Sequence, residues 1–152
     1  MNYWLVKTEP DECSLDDIAA KGTDGMRWDG VRNYQARNFL RSMQVGDGVL
    51  IYHSSCAKLG IVGSAKIIQP AFVDPLQFDP ESAYYDPRSK PEQPRWDAVQ
   101  LAFTERFNTR LSLAELKAMP SFADSPLTQK GSRLSVVPIT AAQWQAVGAA
   151  AR

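Results

Sequence analysis

The chain has 152 residues, with 17 basic and 17 acidic side chains and a formal charge of zero. That length fits one domain, residues 1–152, with a real core, and 44% apolar with 10% aromatic residues excludes a disordered chain. Neutrality excludes the broad basic surface that wraps long duplex, and leaves nucleic acid as a partner only through a small footprint built around a pocket.

Tyr3–Lys7 (YWLVK), aromatic and β-branched, predicts a strand. Ser14-Leu-Asp-Asp17 has capping-box spacing and predicts a short helix from Leu15. Asp16 and Asp17 then sit well against the helix dipole, so the acidic run Glu9–Asp17 reads as a solvated helix start. Gly22–Gly30, with three glycines, reads as a loop. Between Arg32 and Met43, Ala36, Phe39, Leu40 and Met43 recur at spacings of three and four, the stripe of an amphipathic helix. Arg37 and Arg41 lie one turn apart on another face. Arg27–Arg41 holds four arginines against one acid, a local patch suited to phosphate.

Gly46-Asp47-Gly48 predicts a turn, and Val49–His53 and Gly60–Ile68 predict strands. In the second of these strands Ile61, Gly63, Ala65 and Ile67 share a side, and the two small residues suit a tight wall or backbone close to a ligand. Val73–Pro94 carries five of the ten prolines around Tyr84-Tyr85-Asp86 and reads as a long, ordered, functional excursion. Trp96–Arg106 is a strand. Ser112-Leu-Ala-Glu115 opens a helix to about Met119, Arg133–Ile139 is a last strand, and Thr140-Ala-Ala-Gln143 opens a C-terminal helix. Strands and helices do not alternate, which argues against a doubly wound parallel sheet. An α+β fold is expected, with a small, strongly bent sheet or barrel and peripheral helices.

No apolar run is long enough to span a membrane, and Met1-Asn2-Tyr3-Trp4 does not open a secretion leader. Cys13 and Cys56 form neither a disulfide framework nor a CxxC site. A soluble, reduced, cytoplasmic protein is expected, a monomer or weak dimer. His53 is the sole histidine, and with Cys56 it forms HSSC. A thiol nucleophile needs a base within reach, which nearness in sequence does not supply, so both read as structural. GxSxG, Walker and HExxH patterns are absent. One histidine and two separated cysteines do not make a zinc site. The sequence therefore points to no catalytic residue, metal or cofactor.

Stacking is the better-supported chemistry. Trp4 and Trp144 read as core, whereas Trp28 and Trp96 sit at loop-to-element junctions, where binding residues cluster. A base against an indole gains about 1–3 kcal/mol. Asn33 is placed to read a base edge. Arg32, Arg37 and Arg41, with the positive helix end, would hold flanking phosphate.

Seven segments carry a family resemblance: YWLVKTEPDE, WDGVRNYQARNFLR, GDGVLIYHSS, GIVGSAKI, YYDPRS, PRWDAVQLAF and RLSVVPIT, in family order over about 140 residues. The chain resembles the EVE domain, of the PUA-like superfamily beside YTH and ASCH domains. The resemblance implies a bent β-barrel of about five to six mixed strands flanked by helices. It also implies a non-catalytic reader of a modified base in an aromatic pocket, with modified cytosine in DNA favoured. An RNA-binding module is one alternative. A small enzyme acting on modified nucleotides through His53, Cys56 or Glu9 is another. Carried over by position, the pocket would include Lys7 and Thr8 (where the family has serine), Trp28, Val31, Asn33 and Tyr34, Tyr52, His53 and Ser54, Tyr85 and Trp96, and Arg133 and Ser135.

Overall fold

The computed structural model describes residues 1–128 and 134–152. Six strands form one mixed sheet: β1 (Tyr3–Thr8), β2 (Met26–Trp28), β3 (Gly48–His53), β4 (Gly60–Val73), β5 (Asp97–Leu111) and β6 (Val136–Ile139). Their order is β2-β5-β4-β3-β1-β6. β1 and β3 run parallel, Tyr3 opposite Gly48 and Thr8 opposite His53, and every other neighbouring pair is antiparallel. Repeated register shifts between β4 and β5 bend and coil the sheet. The edges β2 and β6 do not pair among the described residues, so the sheet is bent but not closed. Among the described residues four α-helices flank it: α1 (Leu15–Ala20), α2 (Tyr34–Ser42), α3 (Leu113–Lys117) and α4 (Ala141–Ala151). The architecture is α+β, with mixed strands and peripheral helices.

All three capping boxes form, at Ser14, Ser112 and Thr140, and each starts its helix where the sequence places it. α2 starts at Tyr34 rather than Arg32, because Asn33 is extended and its side-chain oxygen accepts the Ala36 N–H at 3.0 Å. The expected loop Gly22–Gly30 contains β2. Three residues are too few to show a period, and the strand is held by its register on Val99, Gln100 and Leu101 of β5. β4 and β5 each run five residues past the expected end, because they pair with one another nearly throughout.

Side chains of β1 and β3 alternate between two cores, so these central strands are buried on both faces and read as continuous apolar runs. Trp4, Val6, Val49 and Ile51 face Leu15 and Ile18 of α1 and Ala36 and Leu40 of α2. Leu5, Leu50 and Tyr52 face Leu116 of α3 and Val147 and Ala151 of α4. Gly63 is small for packing rather than for a ligand. A Cβ there would lie 2.5 Å from the Leu15 side chain and 2.4 Å from the Glu105 carbonyl oxygen, so its smallness lets α1 dock. Trp4 and Trp144 are core residues. Trp4 Nε1 donates to the buried Asp47, and Trp144 packs on Tyr3 at 4.7 Å.

The proline-rich excursion is ordered around two fully buried polar side chains, Asp74 and Gln77. Gln77 Nε2 donates to the Asp74 and Trp96 carbonyls at 2.6 and 2.8 Å. Its Oε1 accepts the Arg95 and Trp96 N–H groups, both at 3.1 Å. One amide thus closes both ends of the excursion and satisfies backbone groups that a buried loop would otherwise leave unpaired.

Candidate functional site

Where the C-terminal ends of β1, β2 and β3 meet, they surround a cavity of about 350 Å³, within the ~300–1,000 Å³ of small-molecule sites. β1 and the turn after it supply Lys7, Thr8, Glu9 and Glu12. β2 and the next loop supply Trp28, Asp29, Gly30, Val31 and Arg32. Ser54 follows β3, Ser135 precedes β6, and Tyr84 comes from the excursion. Backbone bonds knit the rim: the Lys7 N–H donates to the Ser135 carbonyl at 2.8 Å, and the Ser54 N–H to the Thr8 carbonyl at 2.9 Å.

Trp28 is 5% exposed and belongs to the first core, yet it also lines the cavity. Buried indole N–H groups normally find an acceptor. Trp4 Nε1 donates to Asp47 at 3.0 Å and Trp96 Nε1 to Asp86 at 2.7 Å. Trp28 Nε1 has no acceptor among the described residues, and it is not sealed from solvent.

Tyr84 is the second aromatic wall. Its hydroxyl donates to the Glu12 carboxylate at 2.5–2.6 Å. Burial, reinforced by that carboxylate, pushes its pKa well up, so it stays protonated. Gly30 makes its approach possible: φ is +81°, and a Cβ would lie 2.8 Å from the tyrosine ring. The loop is fastened from below by Asp74, which accepts the Gly30 N–H at 3.0 Å and Arg32 Nη1 at 2.9 Å on one oxygen, and the Leu76 N–H at 2.8 Å on the other.

Arg32 makes four hydrogen bonds, to Asp74, the Val31 carbonyl and, twice, the Tyr84 carbonyl. Its guanidinium also lies over the Tyr84 and Trp96 rings at 5.5 and 5.6 Å. It ties the two halves of the wall together. Three acidic residues (Glu9, Glu12 and Asp29) and two basic ones (Lys7 and Arg32) line the cavity, with Thr8, Ser54 and Ser135. Asp29 pairs with Arg27 at 2.8 Å. Burial lowers the Lys7 pKa. The arrangement offers acceptors, donors and an apolar wall to one flat polar molecule.

Of the positions picked out from sequence, Lys7, Thr8, Trp28, Val31, Ser54, Ser135 and Arg32 come together here. Others lie elsewhere. Asn33 caps α2. Tyr52 packs in the second core, its ring 5.8 Å from Lys7 Nζ. His53 Nε2 accepts the Leu15 N–H at 3.1 Å. Tyr85 points to solvent. Trp96 is buried behind Arg32 and stacks on Tyr34 at 4.8 Å, so both sit on the far side of the wall. Arg37 and Arg41 line a separate groove with Tyr34. Arg133 lies outside the described residues.

Glu12, Asp29, Gly30 and Tyr84 were not picked out, and Glu9 was considered only for catalysis. Glu9 and Glu12 stand inside YWLVKTEPDE, and Tyr84 inside YYDPRS, so the motifs mark the right neighbourhoods. Among the described residues, no three His, Cys, Asp or Glu side chains gather to hold a metal ion.

The EVE domain profile matches residues 2–150. The chain belongs to the EVE domain family. It is 39% identical to mouse thymocyte nuclear protein 1, an alignment covering 91% of this chain and 69% of the relative. Among solved structures it is similar to a Pseudomonas syringae protein (TM-score 0.94, 49% identity, 97% of this chain and 98% of that one). It is also similar to human THYN1 in complex with 5-methylcytosine-containing DNA (TM-score 0.88, 36% identity, 99% of this chain and 97% of that one). A Zymomonas mobilis ASCH protein shares the fold at a TM-score of 0.60 and 9% identity. Its described residues hold six mixed strands and four helices in one α+β unit, the fold it shares with these solved EVE structures.

Proposed function

We propose that this EVE domain is a non-catalytic DNA-binding module that admits one modified cytosine into the cavity lined by Trp28 and Tyr84. The observation that carries the reading is that Trp28, whose indole N–H has no acceptor among the described residues, stands in the wall of a cavity of base size. The human relative in complex with 5-methylcytosine-containing DNA supports it. The chemistry of the rim suits cytosine. A carboxylate accepts from the exocyclic amino group, while Lys7 and the serine hydroxyls donate to the ring oxygen and nitrogen. Thymine has no amino group to offer, and would set a carbonyl against Glu9 or Glu12. Trp28 and Val31 supply apolar surface for a 5-methyl group, worth about 1–3 kcal/mol. Extracting a base from duplex costs a few kcal/mol, so a single strand binds more tightly than an intact duplex.

Calorimetric titration with short single strands carrying one 5-methylcytosine, cytosine or thymine tests this. The methylated strand should bind best and the thymine strand worst. Trp28→Phe should weaken the methylated strand about tenfold while keeping an aromatic core. Trp28→Ala is the poorer variant, since emptying a buried indole site costs about 3–5 kcal/mol of stability. Equal affinities for the three strands, or a Trp28→Phe protein that binds like wild type, would remove the base from this cavity.

A further inference from the structure

On the other side of the Arg32–Trp96 contact lies a second concavity, of about 550 Å³. Tyr34, Arg37, Arg41, Arg88, Lys90 and Arg95 line it, and no acidic residue does. Arg37 and Arg41 come from one face of α2, Arg88 and Lys90 from the excursion, and Arg95 from the residue after it. Arg41 is paired, its Nε donating to Asp97 at 2.5 Å. Among the described residues no ion pair involves Arg37, Arg88, Lys90 or Arg95. In a chain with no net charge, this is a strong local excess of one sign.

The groove is built rather than merely crowded. Arg37 Nη1 donates to the Arg95 carbonyl at 3.0 Å, and its guanidinium lies over the Tyr34 ring at 4.8 Å. The exposed Tyr34 stacks in turn on Trp96, 22° from parallel. Arg88, Lys90 and Arg95, gathered without ion-pair partners among the described residues, repel one another and the neighbouring Arg37 and Arg41. A bound anion would relieve that repulsion.

The wall of this groove continues into the cavity. Tyr84 and Arg32 line the cavity, Arg32 lies over Trp96, Trp96 stacks on Tyr34, and Tyr34 with Arg37 lines the groove. We infer that the groove holds phosphates of the strand flanking the base in the cavity. The ligand class is the phosphodiester backbone of a single strand. Arginine forks suit phosphate oxygens, and a strand is the polyanion that can reach both concavities at once. The inference rests on reading the cavity as a base site for the strand's direction, and on the charges alone for phosphate.

The test combines Arg88→Gln, Lys90→Gln and Arg95→Gln, whose side chains make no hydrogen bond or ion pair among the described residues. Binding of methylated and unmethylated single strands is followed by fluorescence anisotropy across a salt series. The control variant, Lys58→Gln with Lys66→Gln and Lys117→Gln, removes three exposed cations elsewhere. The groove variant should bind both strands about tenfold or more weakly at low salt, with the methylated-to-unmethylated ratio unchanged. Its slope of log K against log salt should be shallower by about 2, since each phosphate contact on a single strand contributes ~0.7. The control should keep the wild-type slope.

A groove variant with the wild-type slope, or a control that flattens as much, overturns the inference and leaves the cavity reading standing. A flattened groove variant alongside a wild type indifferent to the methyl group supports the groove and sinks the cavity reading. Unchanged thermal midpoints show that both variants are folded.

Discussion

His53 is the only histidine of the chain, and its work is to accept the Leu15 N–H at the start of α1. Burial lowers its pKa, against the opposing pull of Asp16. The unfolded chain therefore binds this proton more readily than the folded one. The stability it contributes is fully present above about pH 6.5, the unperturbed histidine value, and is lost as pH falls from there toward the lowered folded value. Urea midpoints should accordingly fall between pH 7.5 and pH 5.5. His53→Gln, which keeps an acceptor that does not titrate, should flatten that window. Cys13, by contrast, is held protonated: burial pushes its thiol up to about 11. What could be read at this scale depended on range. Capping boxes are four-residue signals and are legible. The choice between Tyr84 and Tyr85 is not, because it rests on distant partners: Tyr84 meets Gly30, Glu12 and Arg32, whereas Tyr85 is exposed.

Among the elements, the excursion between β4 and β5 decides the shape of the site, and buried polar side chains hold it. Asp74→Ala would leave a guanidinium and two N–H groups without their acceptor. Breaking such a buried pair costs about 3–5 kcal/mol, and urea unfolding should show a loss of that order. Asp74→Asn, which keeps the shape, should lose less. Gly30→Ala acts more locally. Its positive φ costs about 1–2 kcal/mol, and its methyl group enters the Tyr84 ring, so affinity for the methylated strand should fall further than stability accounts for. The role of these residues was hidden in the sequence because their partners are distant: Gly30 lies 44 residues from Asp74, and Trp96 lies 19 from Gln77. The excursion itself stood out through its prolines and tyrosines. β2 did not, since β5 rather than its own pattern makes it a strand.

For the molecule as a whole, zero net charge conceals a division of labour. The cavity mixes carboxylates with two cations and suits the polar edge of one base. Every charged residue lining the groove is a cation, which suits a backbone. The α+β architecture was legible because the central strands are apolar on both faces and the helices announce themselves by their caps. The joining of cavity to groove through Arg32, Trp96 and Tyr34 was not, since it depends on how α2 meets the excursion.

The central claim is that a base occupies the space beside Trp28, and the indole N–H resonances of the four tryptophans report on it directly. Titrating the labelled protein with a single strand containing one 5-methylcytosine should move the Trp28 signal strongly, as the base seats beside its indole. The signals of Trp4 and Trp144, committed to the two cores, should stay in place. Saturable binding that leaves the Trp28 resonance where it began would contradict the account.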